Sequence, residues 1–161
     1  MCDHELFPLT VQEKDVLAAE EKKLGFSLVE WKQKSEYDMC FACGVHNPIG
    51  LHLHFFVLPQ GSLAVFTPAH EHQSYNDRMH GGLIMTLMDE LMGNYLFMKE
   101  GKPAYTGKME SRFRNPVLIG ETVIITCQET KRKGHLVVMD AQVKKSDGTV
   151  CAEATSHMML M

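Results

Sequence analysis

One run of the chain constrains the fold more than any other. Leu83 to Phe97 is apolar and regular enough to form a single long helix, and His80-Gly81-Gly82 stands at its mouth. Placing residues about 100° apart gathers Leu83, Ile84, Met85, Leu87, Met88, Leu91, Met92, Tyr95 and Leu96 on one arc, with Thr86, Glu90, Gly93 and Asn94 opposite. Asp89 falls at the edge of the apolar arc, beside Met85 and Leu96, where partial desolvation makes a carboxylate a stronger base. The N–H groups of Gly81 and Gly82 have no earlier turn to bond, so the helix start is an anion site. Two glycines there cost helix stability, which implies a close approach to the backbone or a turn with positive φ. An oxyanion forming on a carbonyl would suit both. The competing reading is packing alone, with glycines that let the helix enter beneath a strand and Asp89 an ordinary interfacial acid.

The flanking segments have a different period. Leu51 to Leu58 alternates and, through Pro59-Gln60-Gly61-Ser62, turns into Leu63 to Thr67 as a hairpin. Beyond Gly101-Lys102-Pro103, extended runs occupy Ala104 to Phe113, Glu121 to Thr130, His135 to Lys145 and Thr149 to Met158, with turns at Asn115-Pro116, Lys133-Gly134 and Asp147-Gly148. The last third is expected to be an antiparallel meander. Near the start, Thr10-Val11-Gln12-Glu13 has capping-box spacing, Lys14 to Leu24 are good helix formers and Gly25 supplies a stop, so a covering helix is expected, then a short strand from Ser27 to Trp31. Cys40 to Gly50 is rich in turn residues. Together these elements imply an α+β domain in which a sheet wraps one helix.

Composition excludes several functions. The 161 residues suit one domain without internal repeats. A net charge of −4 with dispersed Lys and Arg argues against a nucleic-acid footprint. Met1-Cys2-Asp3-His4-Glu5 shows no signal-peptide pattern, and Asp89 and Glu90 interrupt the longest apolar run, so no membrane span and a cytoplasmic location are expected. Five cysteines, an odd number, argue for reduced thiols rather than a disulfide framework. Twelve methionines fit a pliable core or an acyl-binding wall that includes Met85. There is no G-x-S-x-G elbow, H-E-x-x-H, Walker loop or G-x-G-x-x-G, which favours carboxylate chemistry.

Several motifs taken together resemble one family. They are Cys40-Phe41-Ala42-Cys43-Gly44, Asn47-Pro48-Ile49-Gly50-Leu51, His72-Gln73, His80-Gly81-Gly82 with Asp89-Glu90 and Gly93, and Phe113-Arg114-Asn115-Pro116-Val117 with Gly120. The chain resembles the hotdog-fold acyl-CoA thioesterases, in particular the phenylacetyl-CoA thioesterase (PaaI)-like branch. The resemblance implies an α+β hotdog fold, with residues 1–39 as an N-terminal helical extension and 40–161 as the core. It also implies a homodimer or homotetramer that pairs edge to edge and holds acyl-CoA at the subunit interface, with no cofactor beyond the CoA of the substrate.

Carried over residue by residue, the resemblance makes Asp89 the nucleophile or general base and the Gly82 N–H the oxyanion donor, with Gly81 beside it. His80 would shape the turn or polarise the carbonyl. A polar residue from the strand after the helix, usually in the partner subunit, would meet the attacking water, and both Tyr105 and Thr106 are candidates, Thr106 the nearer match. Asn76-Asp77-Arg78 stands where relatives often have small residues and Gly; Arg78 would offset Asp77, or Asn76 would orient water. Lys131-Arg132-Lys133 would meet the CoA phosphates or form a solvated turn. Cys40 and Cys43 have metal-ligand spacing, with His46, His52 and His54 as further possible ligands, but a single CxxC is weak and the similar enzymes look metal-free, so no metal is expected. His52 and His54 are expected at the surface or lining a pocket. Two other functions fit the same scaffold: an acyl-CoA or fatty-acid binding module without turnover, and an acyl-thioester hydratase or dehydratase.

Overall fold

The computed structural model describes residues 6–32 and 35–161; the reading of Met1 to Glu5 lies outside the described residues. Helix α1 spans Val11–Leu24 and begins as its sequence dictates. Thr10 Oγ1 accepts from the Glu13 N–H, Glu13 returns a bond to the Thr10 N–H, and Gly25 closes the helix in the left-handed region at φ 79°. Leu17 of α1 packs with Phe56, Leu63, Val65 and Ile124, so this helix covers the outer face of the sheet.

The strands are β1 (Glu30–Trp31), β2 (Phe55–Leu58), β3 (Gly61–Phe66), β4 (Ala104–Phe113), β5 (Val123–Lys133), β6 (Leu136–Lys145) and β7 (Val150–Leu160). They form one antiparallel sheet in the order β1-β2-β3-β5-β6-β7-β4. The expected meander is therefore β5-β6-β7 only. β4 crosses over to pair with β7 and becomes the far edge strand, with its other side unpaired.

Helix α2 spans Gly81–Glu100 and runs against the concave face of this sheet. It is longer than its apolar run at both ends. His80 caps the N-terminus and Gly101, at φ 68°, ends it. Its inner face is sealed by Val137, Met139, Val143, Ala154 and Met158 among others.

The hairpin reading needs a correction at its start. Residues 51–54 are not strand: His52 sits at φ 52°, outside the extended region, with its Nε2 2.8 Å from the Asn47 carbonyl and its ring stacked on Phe7. Instead the Leu51 and Leu53 N–H groups bond to the carbonyls of Phe41 and Ala42, which fastens the Cys40 turn beside them. His54 is not surface either. It is buried, with Nδ1 2.7 Å from Glu30 and Nε2 2.8 Å from the Phe7 carbonyl.

The core depends on α2 filling the curl of the sheet. Leu91 is 0 % exposed, and its carbonyl also accepts from Ser62 Oγ at 3.4 Å and Cys127 Sγ at 3.6 Å. Leu91→Ala should lower the unfolding free energy by about 2–5 kcal/mol, and Leu91→Met by less than about 1.5, read from denaturant midpoints.

Candidate functional site

The α2 N-terminus is built by its own glycines. His80 folds back so that Nδ1 accepts from the Gly82 N–H at 2.9 Å, which places the ring proton on Nε2. A Cβ on Gly82 would stand 3.0 Å from that Nδ1, so glycine makes room for the ring. Positive φ is not the reason, since neither glycine adopts it. The cap occupies the N–H that the resemblance gives to the oxyanion. The Gly81 N–H heads the helix with no earlier turn to accept it.

Asp89 lies two turns further on, half-buried, and its Oδ1 accepts from Thr106 Oγ1 at 2.6 Å. Thr106 rather than Tyr105 is brought to the acid within the chain. Tyr105 is 61 % exposed. The register of β4 against β7 shifts between Thr106 and Lys108, leaving Gly107 as a bulge. An extra residue there turns the local strand direction and re-aims the neighbouring side chain, here toward α2.

On the far side of α2, away from the sheet, stands a group that the sequence reading did not assemble. Glu90 is nearly buried beneath the Cys40–Cys43 turn, with Oε1 2.9 Å from Cys43 Sγ and both oxygens 3.7 Å from Cys40 Sγ. Burial pushes the Glu90 carboxyl up to about 7. The Cys43 thiol donating to Cys40 holds the Cys40 thiol down at about 5 and raises its own. Glu90 falls on the polar arc of the helical wheel, which made it look solvated. Only the return of the Cys40 turn over the helix covers it.

Residues 76–152 match the model of the thioesterase superfamily, a stretch that holds His80, Asp89 and Thr106. The chain has the hotdog fold of the solved thioesterases it resembles. A thioesterase superfamily protein, RHA08564, superposes with a TM-score of 0.70 at 15% identity, covering 93% of this chain and 77% of its own. The PaaI protein of the Escherichia coli phenylacetic acid degradation operon gives 0.62 at 18%, covering 68% and 83%. A Streptococcus mutans protein solved with acetyl CoA gives 0.62 at 21%, covering 68% and 88%. No curated protein sequence matches the chain.

Within this hotdog protein the remaining predicted residues are dispersed. Met85 is half-buried one turn before Asp89 and on the same side of α2. Asn76 is exposed in a turn where Asp77, at φ 62°, donates its N–H to Gln73 Oε1. Lys131, Arg132 and Lys133 end β5 beside the other end of α2, about 16 Å along the helix from Asp89. Arg132 binds Glu100 at 2.8 Å and Glu129 at 2.7 Å, and Lys99 also meets Glu129 at 2.8 Å. Lys131 and Arg132 border an open groove of about 580 Å³ with Tyr95, Met98 and Lys99. A larger cavity of about 1160 Å³ lies on the outer face of the sheet, lined by polar groups such as Asp140, Gln142 and Thr155. His80, Asp89 and Thr106 line neither.

The Arg132 guanidinium and the Lys99 ammonium hold the Glu129 carboxyl down at about 2, below its ordinary 4.5. Its contribution to stability is therefore present above about 4.5 and lost as pH falls through about 2. Glu129→Gln should lower Tm modestly at neutral pH, and its melting curve should converge on that of the unsubstituted protein across that window.

Proposed function

We propose that this chain is an acyl-CoA thioesterase that hydrolyses its substrate to free acid and CoA. The observation that carries the reading is the Thr106–Asp89 hydrogen bond, made two turns along α2 from its N-terminus. Thr106 holds Oδ1 and leaves Oδ2 to an incoming water or to the thioester carbon itself. In the general-base route Asp89 takes a proton as water oxygen bonds to the carbonyl carbon, and returns it to sulfur as the C–S bond breaks. In the nucleophilic route the carboxylate attacks the carbonyl carbon, the C–S bond breaks to release the CoA thiolate, and water then hydrolyses the mixed anhydride to the free acid and Asp89.

The oxygen that gains charge needs donors at the helix start. Gly82 serves when the substrate carbonyl takes the place of His80 Nδ1, with the Gly81 N–H beside it and the helix dipole favouring the anion. His80, once displaced, polarises the carbonyl. Met85 forms part of the acyl wall, Asn76 orients water, and Lys131, Arg132 and Lys133 meet the CoA phosphates. The unpaired edge of β4, with exposed Tyr105 and Phe113, joins a second copy, so the working unit is a homodimer or homotetramer with the site at the subunit interface. Residues 1–39 act as an extension of the 40–161 core. No cofactor enters the reaction. Among the described residues no helix is long and apolar enough to cross a membrane, and the free thiols suit a cytoplasmic setting.

One observation favours a second reading. Because the Gly82 N–H is already bonded to His80, the same site could hold acyl-CoA or a fatty acid without turning it over. A hydratase or dehydratase is less well supported, because the His80 ring is engaged in capping the helix rather than paired with Asp89.

Free-thiol release from short, long and aromatic acyl-CoAs separates these. Asp89→Asn should lower kcat by about 10² to 10⁴; tight acyl-CoA binding without thiol release by the native protein would favour the binding module. Thr106→Val should cost about tenfold to a hundredfold in kcat with KM little changed, whereas Thr106→Ser should retain most activity.

A further inference from the structure

The Cys40, Cys43 and Glu90 cluster is not used by the hydrolytic site, and its composition is unusual for a protein interior. Three groups that can each become anionic meet behind α2, and Asp89, the residue before Glu90, adds a further negative charge beside them. No lysine, arginine or histidine pairs with Glu90 among the described residues. A buried carboxylate that faces two thiols and no cation is costly to fold around.

The geometry suits an ion. One ligand atom from each residue lies within 4.8 Å of the other two. A tetrahedral zinc with bonds of about 2.3 Å to sulfur and about 2.0 Å to oxygen would set sulfur and oxygen about 3.5 Å apart, and two sulfurs about 3.8 Å apart. The Cys40 sulfur already stands 3.7 Å from the Glu90 oxygens.

The turn is held in shape before any ion arrives. The Cys40 N–H bonds to the Tyr37 carbonyl at 3.0 Å, and the Gly44 N–H bonds to the Cys40 carbonyl at 2.8 Å. A Cβ on Gly44 would fall 2.4 Å from the Asp38 carbonyl, so only glycine lets the chain fold back this closely. One turn along α2 from Glu90, Asn94 carries a buried side-chain oxygen with no partner among the described residues, so this side of the helix has further unmet polar capacity.

We propose that Cys40 Sγ, Cys43 Sγ and a Glu90 carboxylate oxygen bind a thiophilic divalent cation of the zinc class. The ion pins the Cys40–Cys43 turn to α2 and leaves one tetrahedral position to water or another small ligand. His46, His52 and His54 are not ligands. None of the three joins the Cys40, Cys43 and Glu90 group: both ring nitrogens of His54 are engaged elsewhere, His52 Nε2 meets the Asn47 carbonyl and His46 Nδ1 meets Asp38. The site is independent of the hydrolytic reading and does not require turnover.

The test uses the full-length protein, stripped with a chelator and kept reduced with a phosphine. Calorimetric titration with Zn²⁺ should give one ion per chain and raise Tm. Co²⁺ should give a near-ultraviolet sulfur-to-metal band together with tetrahedral visible bands. The sulfur band should fall by roughly half in Cys43→Ser and vanish in the Cys40→Ser/Cys43→Ser double variant. Glu90→Gln, which keeps the side-chain shape, should weaken Zn²⁺ binding by about tenfold or more while retaining the sulfur band. Absence of saturable binding, a Co²⁺ spectrum without the sulfur band, or unchanged binding in the double variant would overturn the proposal. So would formation of a Cys40–Cys43 disulfide in a glutathione buffer by a protein that takes up no metal.

Discussion

Everything in this molecule depends on burying α2 on nearly all sides. A helix with one apolar arc can satisfy itself against a flat sheet, but here Glu90 and Asn94 on the opposite arc are also covered. The sheet curls around one side of α2, and the Cys40 turn, fastened through Leu51 and Leu53, closes over the other. A helix held this way cannot rotate or slide without opening the core, because interiors at crystal-like density tolerate little displacement. The side chains at its margins are therefore fixed in place by packing, and Asp89 by its bond from Thr106 as well.

That fixation also sets the geometry of the candidate site along α2. Asp89 is half-buried at the boundary between core and edge, and the β4 bulge at Gly107 brings Thr106 onto it. The edge strand has two tasks that pull in different directions: it offers an unpaired backbone and it carries a residue of the site. Gly107 reconciles them, since the bulge re-aims one side chain while the strand on either side stays paired with β7. The glycines at 81 and 82 solve a similar conflict. They weaken the helix start, yet they admit the His80 ring that caps it and leave backbone donors close to where charge would develop.

Much of this was legible in the residues. The α1 capping box, the long apolar run, the bounds of β4 and the Asp-Gly turn are local signals, and each appears where its chemistry places it. Asp89 could be picked out because an acid at the edge of an apolar arc is visible on a helical wheel. Thr106 could only be narrowed to a pair with Tyr105, because alternation along a strand does not reveal a bulge. The strand expected from Leu51 failed where His52 takes a left-handed conformation to reach the Asn47 carbonyl, a choice set by contacts distant in the fold.

The sequence by itself determined both helices and most of the strands, that one helix must be enclosed by a sheet, and which acid and which glycines that helix carries. These follow from period, caps and turn chemistry, all of which act over a few residues. The tertiary structure alone decided that β4 lies at the far edge beside β7, that Thr106 rather than Tyr105 meets Asp89, and that Glu90 meets Cys40 and Cys43 across 50 and 47 positions of chain. Those pairings join residues whose separation in sequence carries no local signal, and only the closing of the sheet and turn around α2 brings them into contact.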